Sequence, residues 1–334
     1  MTQLPRTAVI GTGHWGKNLA RNFHALGALA ALCEADQSAR AAQSALYPEA
    51  AAHAEVADIW ADPAIEAVAI ATPAATHGAL VAQALAAGKH VFVEKPLCLD
   101  VAEGARLKDQ AEATGLTLMV GHLLLYHPAF QALSAAVAEG RLGELRYVVS
   151  NRLSLGKIRR EENALWSFAP HDISMILKLA GRLPSRVVSN GGTYLAPPVA
   201  DTTLSHLSFG EGLQAHLFVS WLHPYKDQEL VVVGSQAMAV FDDVAKGPDK
   251  LRLYRHRVGW DGALPAIDKA NAEPLPYAEA EPLRNECAHF LECVAHRRRP
   301  LSDAAEGLGV LKVLDACQRS LASGQPVELN GATP

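Results

Sequence analysis

Apolar positions in the first third of the chain come in short unbroken runs rather than in alternation. Ala8-Val9-Ile10, Ala30-Ala31-Leu32-Cys33, Ala67-Val68-Ala69-Ile70, Val91-Phe92-Val93 and Leu118-Met119-Val120 predict strands over 7–10, 28–33, 67–71, 90–94 and 117–121. Unbroken apolar runs belong to parallel strands covered on both faces. Alanine-rich stretches with helical periodicity lie between them, at 15–26, 38–46, 76–87 and 101–114. Gly27, Gly88 and Gly115 fall where helix stops are expected. Strand–helix alternation of this kind predicts an α/β domain with a doubly wound parallel sheet over 1–122.

Past a helix at 128–139 the period shortens to two, with strands expected at 146–155, 186–194, 202–209, 213–221, 229–233, 237–242 and 251–257. Turn residues such as Gly210-Glu211-Gly212 and Gly234-Ser235 separate them. Successive strands without helices between them suggest a mostly antiparallel sheet with one open or partner-covered face. The proline-rich stretch 262–276 reads as a loop of low structure, long enough to be functional or mobile. Helical periodicity returns at 281–296 and 302–323, so a second α/β domain is expected over 123–334.

A length of 334 residues, 49% apolar and 19% charged, suits two soluble globular domains. The formal charge of −5 argues against nucleic acid or an anionic membrane as partner. No apolar run is of membrane-spanning length and the start of the chain lacks a signal-peptide pattern, so a cytoplasmic protein is expected. Cys33, Cys98, Cys287, Cys293 and Cys317 form no C-x-x-C and sit in apolar settings, which predicts buried thiols in a reducing compartment. No histidine or cysteine spacing suits a metal, and none is expected.

Candidate chemistry gathers at the ends of the early strands. Gly11-Thr12-Gly13-His14-Trp15-Gly16 is a G-x-G-x-x-G turn between a strand and a helix. Its glycines allow a tight turn, close approach of a pyrophosphate and helix–strand packing, which predicts a bound dinucleotide. Glu34 ends the second strand, where a carboxylate accepts hydrogen bonds from a ribose diol and repels a 2′-phosphate; NAD is favoured over NADP. Asp36 adds to that repulsion, with Arg40 nearby as the counter-argument. Thr72-Pro73, ahead of His77, form either a plain strand-to-helix turn capped by Thr76 or a wall beside the nicotinamide ribose. In Glu94-Lys95-Pro96, a lysine follows a buried strand, either in the mouth of a site or as a solvated strand-end residue, and the proline allows a cis bond. Burial and the positive nicotinamide are expected to lower the lysine's pKa. His171, after Pro170, is expected at a helix N-terminus, where it is either a structural histidine, the commoner case, or a neutral imidazole able to act as base.

The glycine turn, Ala71-Thr72-Pro73 with His77, Glu94-Lys95-Pro96 and His171 together resemble the Gfo/Idh/MocA oxidoreductases, as do Glu286–Leu291 and Ser302–Gly307 near the end of the chain. The resemblance implies a Rossmann domain, an α/β domain whose open sheet makes a homo-oligomer, and Lys95 and His171 at the reacting carbon, with Trp166 near the cofactor. Three stretches, 121–128, 151–159 and 162–172, are similar to the branch that oxidises the 3-hydroxyl of UDP-linked 2-acetamido sugars. That implies UDP-N-acetylglucosamine or its uronic acid as substrate, on the way to 2,3-diamino sugars of cell-envelope glycans. His122, Tyr126, Lys157, Arg159, Asn163 and Ser167 join Lys95 and His171 as the implied substrate contacts. Ser167 stands where many members carry aspartate, and Leu123-Leu124-Leu125 replaces a polar segment; both lean toward the nucleotide-sugar branch. Lys157, Arg159 and Arg160 suit a pyrophosphate or form a solvated loop balanced by Glu161 and Glu162. A free-sugar or inositol dehydrogenase and a non-catalytic sensor remain as alternatives.

Overall fold

The computed structural model describes residues 4–329. The first stretch builds β1 (Thr7–Ile10), α1 (Gly16–Ala25), β2 (Leu29–Cys33), α2 (Gln37–Leu46), β3 (Ala51–His53) and α3 (Val56–Ala61). It continues through β4 (Ala67–Ile70), α4 (His77–Ala86), β5 (His90–Glu94), α5 (Val101–Thr114) and β6 (Leu118–Gly121). These strands form one parallel sheet in the order β3-β2-β1-β4-β5-β6. That order is the doubly wound dinucleotide-binding arrangement. β1, β4 and β6 are buried at every position, as unbroken apolar runs require. β3 and α3 have no counterpart among the expected elements, because β3 is only Ala51-Ala52-His53 and none of it is buried.

The second stretch holds α6 (Pro128–Ala138), β7 (Leu145–Leu155), α7 (Ala164–Ala180), β8 (Arg186–Gly192), β9 (Thr202–Ser208), β10 (Gln214–Ser220), β11 (Leu222–Gly234), β12 (Met238–Asp242) and β13 (Leu251–Tyr254). Next come β14 (Arg257–Asp261), β15 (Leu264–Asp268) and β16 (Ala272–Pro274). The chain closes with α8 (Pro282–His296), α9 (Ala304–Ser323) and β17 (Val327–Glu328). The large sheet runs β16-β13-β12-β11-β7-β10-β9-β8-β17 and is antiparallel except where β10 meets β7. The loop expected at 262–276 is instead half of the β14–β15 hairpin plus β16. Every residue of β14 and β15 is exposed, so burial gave no signal there.

Two compact units result, one reaching to Tyr126 and adding Ala280–Leu311, the other His127–Glu279 with the chain from Lys312 on. The expected boundary at 122 falls four residues short of Tyr126, and the 123–334 assignment gives α8 and the start of α9 to the other unit. The reason is packing. Phe290 of α8 lies edge-on to Phe23 of α1 and to Phe92 of β5, with ring centroids 6.3 and 5.9 Å apart, and Phe23 and Phe92 are 6.5 Å apart. All three rings are fully buried. All five cysteines are buried free thiols, as expected.

Candidate active site

In the first unit, β1 runs into the glycine turn. Gly11 has a φ of +81°, and a Cβ there would stand 2.9 Å from Thr72 Cγ2. A Cβ on Gly16 would stand 1.8 Å from Gly11 O, so only glycine lets α1 pack here. Gly13 is different: nothing lies within 4 Å of its Cβ position, leaving its backbone facing open space. α1 has neither a side-chain cap nor an acidic residue in its first turn, which leaves its leading N–H groups for an anion. His14 and Trp15 beside it are exposed.

The end of β2 completes this cradle. Glu34 Oε2 accepts from Thr12 N–H at 2.7 Å, and its Oε1 from Asp36 N–H at 3.1 Å. Asp36 itself caps α2, accepting from Ala39 N–H at 2.7 Å. Arg40 Nη1 donates to the carbonyls of Glu34 at 2.6 Å and Ala35 at 3.2 Å. The guanidinium is thus anchored to backbone. Open glycine backbone, an uncapped helix start and an oriented carboxylate fit a dinucleotide with a free ribose diol.

The next two strand ends meet through His77. Its buried ring lies with Nδ1 2.7 Å from Pro96 O and Nε2 2.9 Å from Thr72 O, tying the Thr72-Pro73 turn to the turn after β5. Burial lowers the His77 pKa, Lys95 lowers it further, and the two carbonyls oppose the shift. Thr76 does not cap α4; its hydroxyl bonds to Pro73 O at 2.8 Å and to Thr72 Oγ1 at 2.6 Å, in a helical turn at Ala74–Thr76. The Lys95–Pro96 bond is cis. Lys95 and Glu94 are both half-buried, and the Trp15 indole N–H donates to Glu94 Oε1. Burial raises the Glu94 pKa to about 7, against the Trp15 hydrogen bond and the charges of Lys95 and His122.

His171 belongs to the second unit, and its setting corrects the sequence reading. α7 begins at Ala164, because Asn163 caps it by accepting from Trp166 N–H at 3.1 Å. Pro170 therefore lies inside the helix, and His171 stands two turns in, beyond the reach of the terminal dipole. What holds it is the next residue. Asp172, buried, accepts from Arg152 Nε at 2.5 Å, Arg152 Nη2 at 3.2 Å and Ser150 Oγ at 2.7 Å, riveting α7 to β7.

Of the other implied contacts, Lys157 is exposed and Arg159 pairs with Glu162 at 3.1 Å, both in the segment between β7 and α7. Ser167 is buried in the first turns of α7. Trp166 Nε1 and Asn163 Nδ2 both donate to Gln318 Oε1, at 3.2 and 2.8 Å. Asn163 is thereby engaged at both ends of its amide, as a cap and a brace. Tyr126 is 2% exposed with its hydroxyl 2.8 Å from Ser302 Oγ, and His122 is 1% exposed with Nδ1 2.6 Å from Glu306 Oε2. Burial withdraws both from substrate. Sequence reading missed Asp172, Arg152 and Glu286. A signal existed for the last: Leu283, Glu286, Cys287, Phe290, Leu291 and Val294 share one helical face, so a carboxylate stands in an apolar stripe.

A doubly wound parallel sheet, an open glycine turn after β1 and a lysine at the end of β5 define a nicotinamide-dinucleotide oxidoreductase. The Gfo/Idh/MocA oxidoreductase family with its NAD-binding Rossmann fold matches residues 5–122, and the GFO/IDH/MocA C-terminal domain matches 130–240. UDP-N-acetylglucosamine 3-dehydrogenase of Acidithiobacillus ferrooxidans is 30% identical over 92% of this chain and 94% of its own. The NAD⁺-dependent scyllo-inositol 2-dehydrogenase of Bacillus subtilis is 25% identical over 82% and 80%. A solved structure of the Acidithiobacillus enzyme superposes with a TM-score of 0.82 at 27% identity, covering 95% of this chain and 97% of that one. The chain belongs to the Gfo/Idh/MocA family of NAD-binding oxidoreductases.

Proposed function

We propose that this oxidoreductase converts the 3-hydroxyl of a UDP-linked 2-acetamido sugar, UDP-N-acetylglucosamine or its uronic acid, to a ketone. The observation that carries the reading is the likeness to UDP-N-acetylglucosamine 3-dehydrogenase along 92% of the chain. NAD, when bound, accepts the hydride from carbon 3. Gly11, Gly13 and Gly16 with the start of α1 hold the pyrophosphate, and Glu34 receives the adenosine ribose diol. Thr72, Pro73 and Glu94 flank the nicotinamide side, with Trp15 orienting the Glu94 carboxyl.

Lys95 and His171 act as a coupled pair on the hydroxyl proton, and the lysine stabilises alkoxide character as the hydride departs. Lys157 and Arg159 supply cationic contacts for the diphosphate, the guanidinium being suited to a two-pronged grip. The keto product feeds an amino-transfer step toward a diamino sugar of envelope glycans, and the enzyme works as a homo-oligomer.

The test is NADH formation with UDP-N-acetylglucosamine, its uronate, scyllo- and myo-inositol and glucose. The reading expects turnover on a UDP-sugar alone, and turnover confined to inositol would replace it with a polyol dehydrogenase. Lys95→Met and His171→Asn should each lower kcat by about 10²-fold or more while NAD affinity stays near wild type. Unchanged kcat in either variant would remove that residue from the chemistry.

A further inference from the structure

The second unit carries a hairpin that belongs to no core. In β14–β15 the register sets Val258 opposite Ile267 and Trp260 opposite Pro265, so these four side chains share one face. Arg257, Gly259, Asp261, Leu264, Ala266 and Asp268 share the other. Every residue of both strands is exposed, with Trp260 at 75%, Val258 at 67% and Ile267 at 64%. A two-stranded hairpin is marginal by itself in water, and one that turns an all-apolar face to solvent needs a cover.

The same unit leaves a second apolar surface bare. On the large sheet, Ser150 and Arg152 of β7 point toward α7, where Asp172 accepts from both. Tyr147, Val149 and Asn151 alternate with them and face the opposite side. Pairing extends that side from Val149 to Val231 and Val240 in one direction, and through β10 to Phe218 and Leu204 in the other. Leu204 is 52% exposed and Tyr147 41%, whereas Val148, Val232 and Leu217 on the α7 side are buried.

Area decides between a foreign partner and a second copy. Val258, Trp260 and Ile267 together leave about 400 Å² of side chain in water. One hairpin on one foreign surface would bury about 800 Å² in all, the size of a weak contact. Two copies that exchange hairpins bury about 1,600 Å², the size of a stable interface, and cover both bare surfaces of each chain. A two-fold axis does this with one contact used twice. β13 leads into the hairpin and β16, the edge strand, takes the chain back, so the hairpin springs from one rim of the sheet. An axis along the strands brings that rim over the β8 side of the partner's sheet, next to Leu204 on β9. Strands of 5 residues span about 17 Å, more than the ~10 Å between two packed sheets.

We propose that the β14–β15 hairpin is an arm exchanged between two copies of this chain, with Val258, Trp260, Pro265 and Ile267 laid on the open face of the other copy's large sheet at Leu204 and Phe218. This rests on the homo-oligomer proposed for the enzyme and names the contact that holds it.

Analytical ultracentrifugation of the full chain over a dilution series tests the arm. Trp260→Ser combined with Ile267→Ser should weaken association on the order of 10²-fold, and Leu204→Asp should weaken it similarly from the sheet side. Mixed in equal amounts, the two variants should associate more tightly than either does alone, because the mixed pair keeps one intact hairpin on one intact sheet. If Leu204→Asp fails to fold, the hairpin variant still decides, since its changes touch no buried residue. A hairpin variant that associates as tightly as the wild type, or a mixture no tighter than its components, overturns the exchange. A wild type that stays monomeric sinks the homo-oligomer as well, whereas a dimeric wild type indifferent to the hairpin changes sinks the arm alone.

Discussion

Two oxygens of Glu34 do separate work at the end of β2, one held by Thr12 N–H and the other by Asp36 N–H. That fixed direction is what a ribose diol needs, and a 2′-phosphate would meet the same charge at close range. Replacing Glu34 by Ser removes a charge-assisted contact of about 1.5–3 kcal/mol, so NAD affinity should fall roughly ten- to hundredfold. Isothermal titration with NAD and NADP checks this, and an unaltered preference would place the ribose elsewhere. The packing of Gly11 and Gly16 and the strand-end position of Lys95 were legible in the sequence because both rest on residue type at a strand end. His171 was misplaced as an environment. Pro170 suggested a helix start, yet Asn163 caps the helix seven residues earlier, and competing start signals cannot be ranked without the fold. Asp172's partner Arg152 lies twenty residues upstream on β7, a pairing no local pattern announces.

Elements, in turn, are held by a few buried contacts. The Phe23–Phe92–Phe290 trio makes α8 part of the Rossmann unit although its sequence position is far away. Phe290→Ala should destabilise by about 3–5 kcal/mol, since a fully buried ring leaves a cavity its neighbours cannot fill. Denaturant unfolding followed at the first unit's own tryptophans, Trp15 and Trp60, measures it, and a loss under about 1 kcal/mol would mean that α8 is not anchored there. Asp172→Ala strands a buried guanidinium and should cost about 3–5 kcal/mol. It should also lower kcat together with stability, because the same carboxylate fixes the helix carrying His171; intact kcat would separate the two roles. The long apolar strands and capped helices were readable from periodicity. β3, α3 and the β14–β15 hairpin were not, being too short or too exposed for hydrophobic pattern to mark them.

Over the whole molecule the chain leaves the first unit after Tyr126, returns at Ala280 and leaves again within α9 after Leu311. That return could not be read from sequence, since amphipathic helices such as α8 and α9 do not say which sheet they cover. It also has a consequence for pH, because α8 and α9 bring Glu286 and Glu306 into the unit that already holds Glu94. In the unfolded chain these glutamates ionise near their ordinary value. In the fold, burial and mutual repulsion hold Glu286 well above that value, and burial raises Glu94 to about 7. Through these two carboxyls the folded state binds more protons than the unfolded one from about pH 4.5 upward, and their contribution to stability falls as pH rises. His77, neutral when buried, pulls the other way only as pH drops below its ordinary value of 6.5. Melting temperature should thus decline between about pH 6.5 and 8.5 in the wild type, and E286Q, with no proton to lose, should decline less. The contrast is largest at the alkaline end, where the wild type keeps a buried acid neutral against solution and the amide variant does not have to. Parallel melting curves for the two proteins across that range would expose an ionised Glu286, since E286Q would then show the same slope as the wild type.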